Sequence, residues 1–426
     1  MIDTIFALSS GAPPAALGVI RISGPRAQAA LRQLAGRLPQ PRRAALTELR
    51  DAQGEVLDQA LALWLPSPGT ATGEDVVELH CHGGRAVIAA VEAALAAIPE
   101  LRRATPGEFT RRAFINGRID LAEAEGLADL LSAETELQRR SAMALAGGAV
   151  SRTIEAWRER VLSASAAVEA VLDFADEDDI AVLPADFAAR LADLREEIGE
   201  WLERPRAEAL REGFRVVLAG PPNAGKSTLF NALVESEAAI TAPLAGTTRD
   251  VLTRPVAIAG VPFLFADTAG LRDDTGGDTI EAIGVERARG ELDRADLVLW
   301  LGGEGEGPER AWEIAAQIDR PGHADKVAPR HRVSAVTGEG LNALRDDLVR
   351  TAAAALPRPG EAALNARQHR MLGDAAVALA QAELAKDPLL VAENLRLVRV
   401  AFDALLGRTT TEDMLDTLFG RFCIGK

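Results

Sequence analysis

The sequence predicts a multidomain α/β and α+β protein. A domain built on a parallel sheet, with helices on both faces, is inserted in a helical domain and preceded by an α+β domain. Three observations predict it. Residues 212–357 alternate apolar strand runs with helical stretches, which implies a parallel sheet. Apolar residues recur at helical spacing before that segment, over 119–211, and again after it, over 358–426. Residues 1–118 instead mix short alternating runs with Gly/Pro turn clusters.

The elements follow in order. In the first segment Gly18–Ser23, Leu61–Leu65 and Asp75–His80 read as strands, and Ala86–Ile98 reads as an Ala-rich helix. In the second, Leu121, Ala124, Ala128 and Leu131 share a helical face, Gly147-Gly148 breaks it, and Ile154, Trp157, Val161 and Val168 resume it. The acidic run Asp176-Glu177-Asp178-Asp179 reads as a solvated loop without metal-ligand spacing. In the third, Phe214–Ala219, Val261–Ala266 and Leu297–Leu301 read as buried strands, whereas Ala315–Arg320 is a poor strand. In the fourth, Leu364–Leu384 and Leu389–Leu406 carry helical periods split by Asp387-Pro388.

Composition excludes several classes. The 426 residues allow roughly two to four domains. Two cysteines far apart, Cys81 and Cys423, do not make a disulfide framework. Thr4–Ile20 is broken by Gly11, Pro13, Pro14 and Gly18, so no membrane span is expected there. Met1-Ile2-Asp3 does not look like a secretory leader, and a cytoplasmic protein is expected. There are 43 Arg and only four Lys (Lys226, Lys326, Lys386, Lys426), so each lysine is worth inspection.

One lysine sits in a motif. Gly220-Pro221-Pro222-Asn223-Ala224-Gly225-Lys226-Ser227 fits GxxxxGK[ST], follows a strand and opens a helix at Thr228. Glycines let backbone N–H groups close around phosphates, and the helix N-terminus adds partial positive charge. Lys226 would reach the β- and γ-phosphates of GTP, and Ser227 would ligate Mg²⁺. Asp267-Thr268-Ala269-Gly270 follows a strand, as a metal-side carboxylate and γ-phosphate sensor should. Ala242-Pro243-Leu244-Ala245-Gly246-Thr247-Thr248 lies between, where a switch loop would put Thr248 on Mg²⁺. Ser334-Ala335-Val336 resembles a loop that packs on a guanine base. Together these residues read as a GTP-binding set. A base-reading NKxD motif is degraded, its best match being Gly322-His323-Ala324-Asp325, which keeps Asp325. Leu271 stands where many small GTPases carry a water-orienting Gln, so the activating group must come from elsewhere.

The chain then resembles, along its whole length, the family of tRNA wobble-uridine modification GTPases known as MnmE or TrmE. The residues that carry the resemblance are Arg21-Ile22-Ser23-Gly24, Gly73-Glu74-Asp75, His82-Gly83-Gly84, Pro106-Gly107-Glu108-Phe109, Arg111-Arg112-Ala113-Phe114 and Asp120–Glu125. The end Phe422-Cys423-Ile424-Gly425-Lys426 is the most specific of them. The resemblance implies four parts: a folate-binding, dimerising α+β domain over 1–118, helical halves over 119–211 and 358–426, and a G domain over 212–357. It implies K⁺ activation, with Asn223, carbonyls near Ala242 and Leu244, and Thr247 around the ion in place of an arginine finger. It gives Glu281 the catalytic carboxylate on the attacking water. It gives Arg21, Glu78, Arg118 and Lys426 to a tetrahydrofolate derivative, 5-formyl- or 5,10-methylene-, with Cys423 as a candidate reactive thiol. Arg118 stands where other members can carry Lys, and a guanidinium fork binds carboxylate differently from an ammonium. The implied partners are a second copy, tRNA, and the flavoprotein MnmG with its FAD.

Other readings stay open at this point. A ribosome-assembly or RNA-binding GTPase would share the G motifs, and a folate module could carry a vestigial G domain. Arg21 and Glu78 read equally as strand-pairing charges. Cys423 reads equally as a small buried residue. His80-Cys81-His82 looks like a metal cluster, but strand alternation turns Cys81 away from both histidines. The net charge of −16 is also uneven. It is +2 over 1–118, −11 over 119–211, −7 over 212–357 and zero over 358–426. Contact with tRNA is therefore expected to avoid the acidic middle.

Overall fold

A computed structural model describes residues 3–173, 183–235, 252–267, 290–321, 326–409, 411–420 and 422–425. The chain groups into two units, Met1–Ala128 with Phe402–Lys426, and Asp129–Ala401. No helix among the described residues is long and apolar enough to cross a membrane.

The first unit opens with β1 (Thr4–Leu8), β2 (Leu17–Ser23) and α1 (Ala27–Ala35). Next come β3 (Ala45–Arg50), β4 (Val56–Leu65), β5 (Val76–His82), α2 (Arg85–Ala96) and β6 (Leu101–Arg103). α3 (Glu108–Ile115) and the start of α4 (Leu121–Ser132) follow. Six strands form one sheet in the order β3-β4-β5-β2-β1-β6. Alternation decides which side chains go inward. Phe6, Ile20, Ile22, Leu79 and Cys81 share a core with Leu31 and Leu34 of α1 and Val91 and Leu95 of α2. Ile5 and Ala7, which alternate with Phe6, pack instead with Ala104 and Phe109 of α3.

The second unit is helical on both sides of a second sheet. α5 (Glu136–Ala146), α6 (Ala149–Asp173), α7 (Phe187–Leu202) and α8 (Ala207–Glu212) precede the sheet in the chain. Thr135 and Gln138 form a reciprocal capping box at the start of α5, worth about 1 kcal/mol. The sheet region contains β7 (Phe214–Ala219), α9 (Lys226–Glu235), β8 (Leu252–Ile258), β9 (Val261–Asp267), β10 (Leu297–Trp300), β11 (Trp312–Ala316), β12 (His331–Val333) and α10 (Leu341–Ala355). α11 (Ala366–Leu384) and α12 (Pro388–Leu406) follow. α11 begins with its own capping box, Asn365 with the fully buried Gln368, and packs on α7.

The strand order is β12-β11-β10-β7-β9-β8. Pairing is parallel except at one edge, where β8 runs antiparallel to β9. The parallel sheet expected from the sequence is present, and its one antiparallel edge has a local cause. Ala259 (φ 49°) and Gly260 (φ 79°) make a two-residue left-handed turn, which returns the chain as a hairpin. Pro255 sits on this edge strand, where a missing N–H costs least. The poor strand expected at Ala315–Arg320 is corrected. The strand is Trp312–Ala316, shifted toward the N-terminus. Its polar Glu313 masks the apolar run in the sequence, and its carboxylate receives hydrogen bonds from Lys326 Nζ and Gly305 N.

The chain closes in the first unit with α13 (Glu412–Phe419) and the tail behind it. Leu415, Phe419 and Phe422 share a core with Leu121 and Ala124 of α4. Gly107 has φ 69°, and a Cβ there would lie 2.1 Å from Phe419 O. Gly425 has φ 96°, and a Cβ there would lie 2.2 Å from Leu8 O. Only glycine permits these two close approaches. Ser9 Oγ donates to Gly425 O at 2.8 Å and fastens the tail beyond the end of β1.

Candidate functional site

The glycine loop leaves β7 at Gly220 (φ 146°), passes the left-handed Asn223 (φ 64°) and Gly225 (φ 90°), and enters α9 at Lys226. The first N–H groups of a helix have no partner within it, so they are available to an anion. Lys226 is 6% exposed. Its Nζ donates to Gly220 O at 2.9 Å and Pro221 O at 2.8 Å, so the ammonium lies folded over the loop. Ser227 Oγ donates to Asp267 Oδ2 at 2.7 Å. That contact is built into the sheet: β7 and β9 are neighbours, and Leu218 pairs with Asp267 at their ends. Asp267 is 1% exposed. A hydroxyl beside a buried carboxylate is a hard-oxygen donor set, and it fits Mg²⁺.

A recess opens beside this loop, lined by Gly225, Thr228, Asp319, Arg320, Ala335 and Val336 among others. β11 ends at Ala316, so residues 317–320 turn directly into it. Ser334 is fully buried after β12. Its Oγ donates to Asp319 Oδ1 at 2.7 Å and accepts from Val336 N and Thr337 N at 3.3 and 3.0 Å. One carboxylate matches the two adjacent N–H donors on the edge of guanine, whereas adenine presents an acceptor there. Val336 is 73% exposed and offers an apolar face beside the carboxylate.

Asp319 was not among the residues expected from sequence. The signal was Ile314-Ala315-Ala316-Gln317-Ile318-Asp319, an apolar strand end with an aspartate three residues beyond it. It was hidden because the strand was placed too late. Asp325, with Gly322, His323 and Ala324, lies outside the described residues. So do Ala242, Pro243, Leu244, Ala245, Gly246, Thr247, Thr248, Thr268, Ala269, Gly270, Glu281 and Lys426. Of the expected GTP-binding residues, the structure brings together Asn223–Thr228 and Asp267, with Ser334, Ala335 and Val336 around the adjoining recess. Of the expected K⁺ ligands, Asn223 alone lies among the described residues.

In the first unit Arg21 and Glu78 are cross-strand neighbours on β2 and β5. Their side chains pair at 2.9 Å, at 25% and 21% exposure. The Arg21 guanidinium also stands 5.8 Å from the Phe109 ring centre. Arg118 is exposed, and its Nε donates to Thr70 O at 3.1 Å. Cys423 is exposed, which corrects the buried reading of that thiol. The tail turns so that Phe422 fills the core and its neighbour faces solvent. Cys81 is buried in the sheet core, whereas His80 and His82 reach Glu78 and Asp58 on the other face. Burial, and then the Asp58 charge, push the Cys81 thiol up to about 12.

Two family profiles match this chain. One described as "GTP-binding protein TrmE N-terminus" covers residues 4–118, and one described as "MnmE helical domain" covers residues 121–423. The "tRNA modification GTPase MnmE" of Erythrobacter litoralis is 64% identical over 424 residues, covering 100% of both chains. That of Novosphingobium aromaticivorans is 65% identical over 438 residues, again covering 100% of both. That of Zymomonas mobilis is 50% identical over 438 residues, with 99% of this chain and 100% of the relative covered. Two profiles that span nearly the whole sequence, and relatives matched from end to end, agree with the glycine loop and the buried carboxylate beneath it: the chain belongs to the MnmE family of tRNA modification GTPases.

Proposed function

We infer that the chain is a K⁺-activated GTPase working in the cytoplasm as a homodimer. With the flavoprotein MnmG, which carries FAD, it forms the 5-carboxymethylaminomethyl group on the wobble uridine of certain tRNAs. A one-carbon unit of that group comes from a methylene-tetrahydrofolate. The observation that carries the GTPase core of this reading is the short Ser227–Asp267 pair under the glycine loop, with Lys226 folded above it.

The residues divide the work. Backbone N–H groups of Asn223–Thr228 and the Lys226 ammonium hold the phosphates. Ser227 and Thr248 hold Mg²⁺, which screens the phosphate charge when bound. Asn223, Thr247 and carbonyls near Ala242 and Leu244 hold K⁺, which supplies positive charge where an arginine finger would. Asp319, fixed by Ser334, reads the guanine edge; it takes the role first expected of Asp325. Glu281 orients the attacking water, and Thr268, Ala269 and Gly270 sense the γ-phosphate. Pro243, Ala245 and Gly246 complete the GTP-binding set. Arg21, Glu78, Arg118 and Lys426 bind the folate, whose one-carbon unit is passed on near Cys423. The family match from residue 4 to residue 423 leaves the ribosome-assembly reading without a feature of its own.

GTP hydrolysis by the purified chain, measured in matched K⁺ and Na⁺ buffers, tests this reading. It predicts faster turnover in K⁺, and loss of that advantage in Asn223→Ala. Equal rates in the two salts would remove K⁺ from the site.

A further inference from the structure

Residues 27–47 carry four arginines, Arg32, Arg37, Arg42 and Arg43, and no carboxylate. Without these four charges the +2 over residues 1–118 becomes −2. The stretch spans α1, the connection behind it and the start of β3, which is an edge strand of the first sheet. All four arginines are exposed. None of them meets a carboxylate among the described residues, whereas Arg26 and Arg50 on the two flanks pair with Glu100 and Glu48. Two of the four are held instead by neutral backbone oxygens. Arg37 Nη2 donates to Leu46 O at 3.3 Å, and Arg42 Nη2 donates to Pro66 O at 3.2 Å and to Gly69 O at 2.9 Å. Arg42 is also left-handed (φ 62°), a conformation that persists only where its surroundings hold it. A carbonyl fixes a guanidinium without cancelling its charge. Four cations are thus kept uncompensated along one edge of a protein whose net charge is −16.

We propose that this edge of the first unit is a docking surface for an RNA phosphate backbone, that of the tRNA substrate. Cations left without a carboxylate partner bind a polyanion by displacing its condensed counterions. Planar guanidiniums suit phosphate because they present paired N–H donors. Such a surface positions the tRNA without reading its sequence, since phosphates carry none. It also supplies what the rest of the chain does not: residues 119–211 and 212–357 carry −11 and −7 and repel RNA. The proposal rests on the tRNA reading above.

Binding of a tRNA transcript to the full chain, titrated from about 50 to 200 mM NaCl without nucleotide, tests it. The variant Arg32→Gln/Arg37→Gln/Arg43→Gln removes three cations and spares the Arg42 hydrogen bonds. It should bind tRNA about tenfold or more weakly at the low-salt end, and the slope of log affinity against log salt should become shallower by about two to three. The loss should be equal for a tRNA with a wobble uridine and for one without, because the contacts are to phosphate. GTP hydrolysis and the melting midpoint should not move. Arg32→Lys/Arg37→Lys/Arg43→Lys should keep the parental slope, since it keeps the charge. A control with the same change in net charge, Arg140→Gln/Arg190→Gln/Arg396→Gln, removes arginines that pair with Glu136, Asp186 and Glu393 and should bind like the parent. An equal loss in that control, or a loss that the Lys variant shares, overturns the proposal. If the parent binds tRNA and the first Gln variant binds it equally well, this surface alone is wrong and the tRNA reading stands. If the parent binds no tRNA at about 50 mM NaCl, direct tRNA contact by this chain falls and the proposal falls with it.

Discussion

Ser334 Oγ lies 2.7 Å from Asp319 Oδ1, across the ends of two neighbouring parallel strands. Two backbone N–H groups, of Val336 and Thr337, converge on the same hydroxyl. A fully buried serine therefore sets both the direction of the Asp319 carboxylate and the shape of the loop beside it. Ser334→Ala should weaken guanine nucleotide binding by about tenfold, the loss of one charge-assisted hydrogen bond. Titration with GDP checks it; unchanged affinity would separate Asp319 from the nucleotide.

Lys226 offers a larger effect. Its ammonium is almost buried and spends its hydrogen bonds on loop carbonyls. Removing a charged donor costs roughly 1.5–3 kcal/mol, so Lys226→Ala should lower GTP affinity by about tenfold to a hundredfold. Isothermal titration of both proteins reads this directly.

Stability in the first unit should depend on acid pH through Glu108. Burial opposes its ionisation, but hydrogen bonds from Arg102, the Thr105 N–H and Arg112 outweigh that and hold it at about 2, against an ordinary 4.5. A carboxyl with a depressed folded pKa contributes stability above the unfolded value. That contribution is lost as the pH falls from 4.5 toward 2. Urea midpoints should fall across this window in the parent protein and fall less in Glu108→Gln. The fully buried Arg112 also pairs with Asp3 and Glu74. Arg112→Met should cost on the order of 3 kcal/mol, because it strands carboxylates in a half-buried site.

The tail makes a sharper geometric prediction. Gly425 presses on Leu8 O and is tied by Ser9. Gly425→Ala demands both a left-handed alanine and room that does not exist, so the tail should detach. Carboxypeptidase should then trim the C-terminus several times faster than in the parent. Equal trimming would mean that the tail is not held by this contact.

Much of this was readable in the sequence, for physical reasons that differ by element. Phe214–Ala219 is a strand with the expected limits because it is apolar apart from Arg215 and ends at a glycine. The glycine loop was readable because its spacing is itself the geometry. Trp312–Ala316 was misplaced because Glu313 breaks the apolar pattern, and its partner Lys326 cannot be foreseen from local sequence. The Arg21–Glu78 pair depends on the register of β2 against β5, which joins residues 57 apart. Exposure of Cys423 was not readable, since the tail's direction is fixed by Phe422 on one side and Gly425 on the other. Likewise, a hairpin turn at Ala259-Gly260 reverses one strand without any change in the apolar pattern of that strand.

The most direct test of the account is mass analysis of wobble uridines in tRNA from a strain lacking this chain. The account predicts that the 5-carboxymethylaminomethyl group disappears, returns with the parent gene, and does not return with Lys226→Ala. Unchanged modification in the deletion strain, or full restoration by Lys226→Ala, would contradict it.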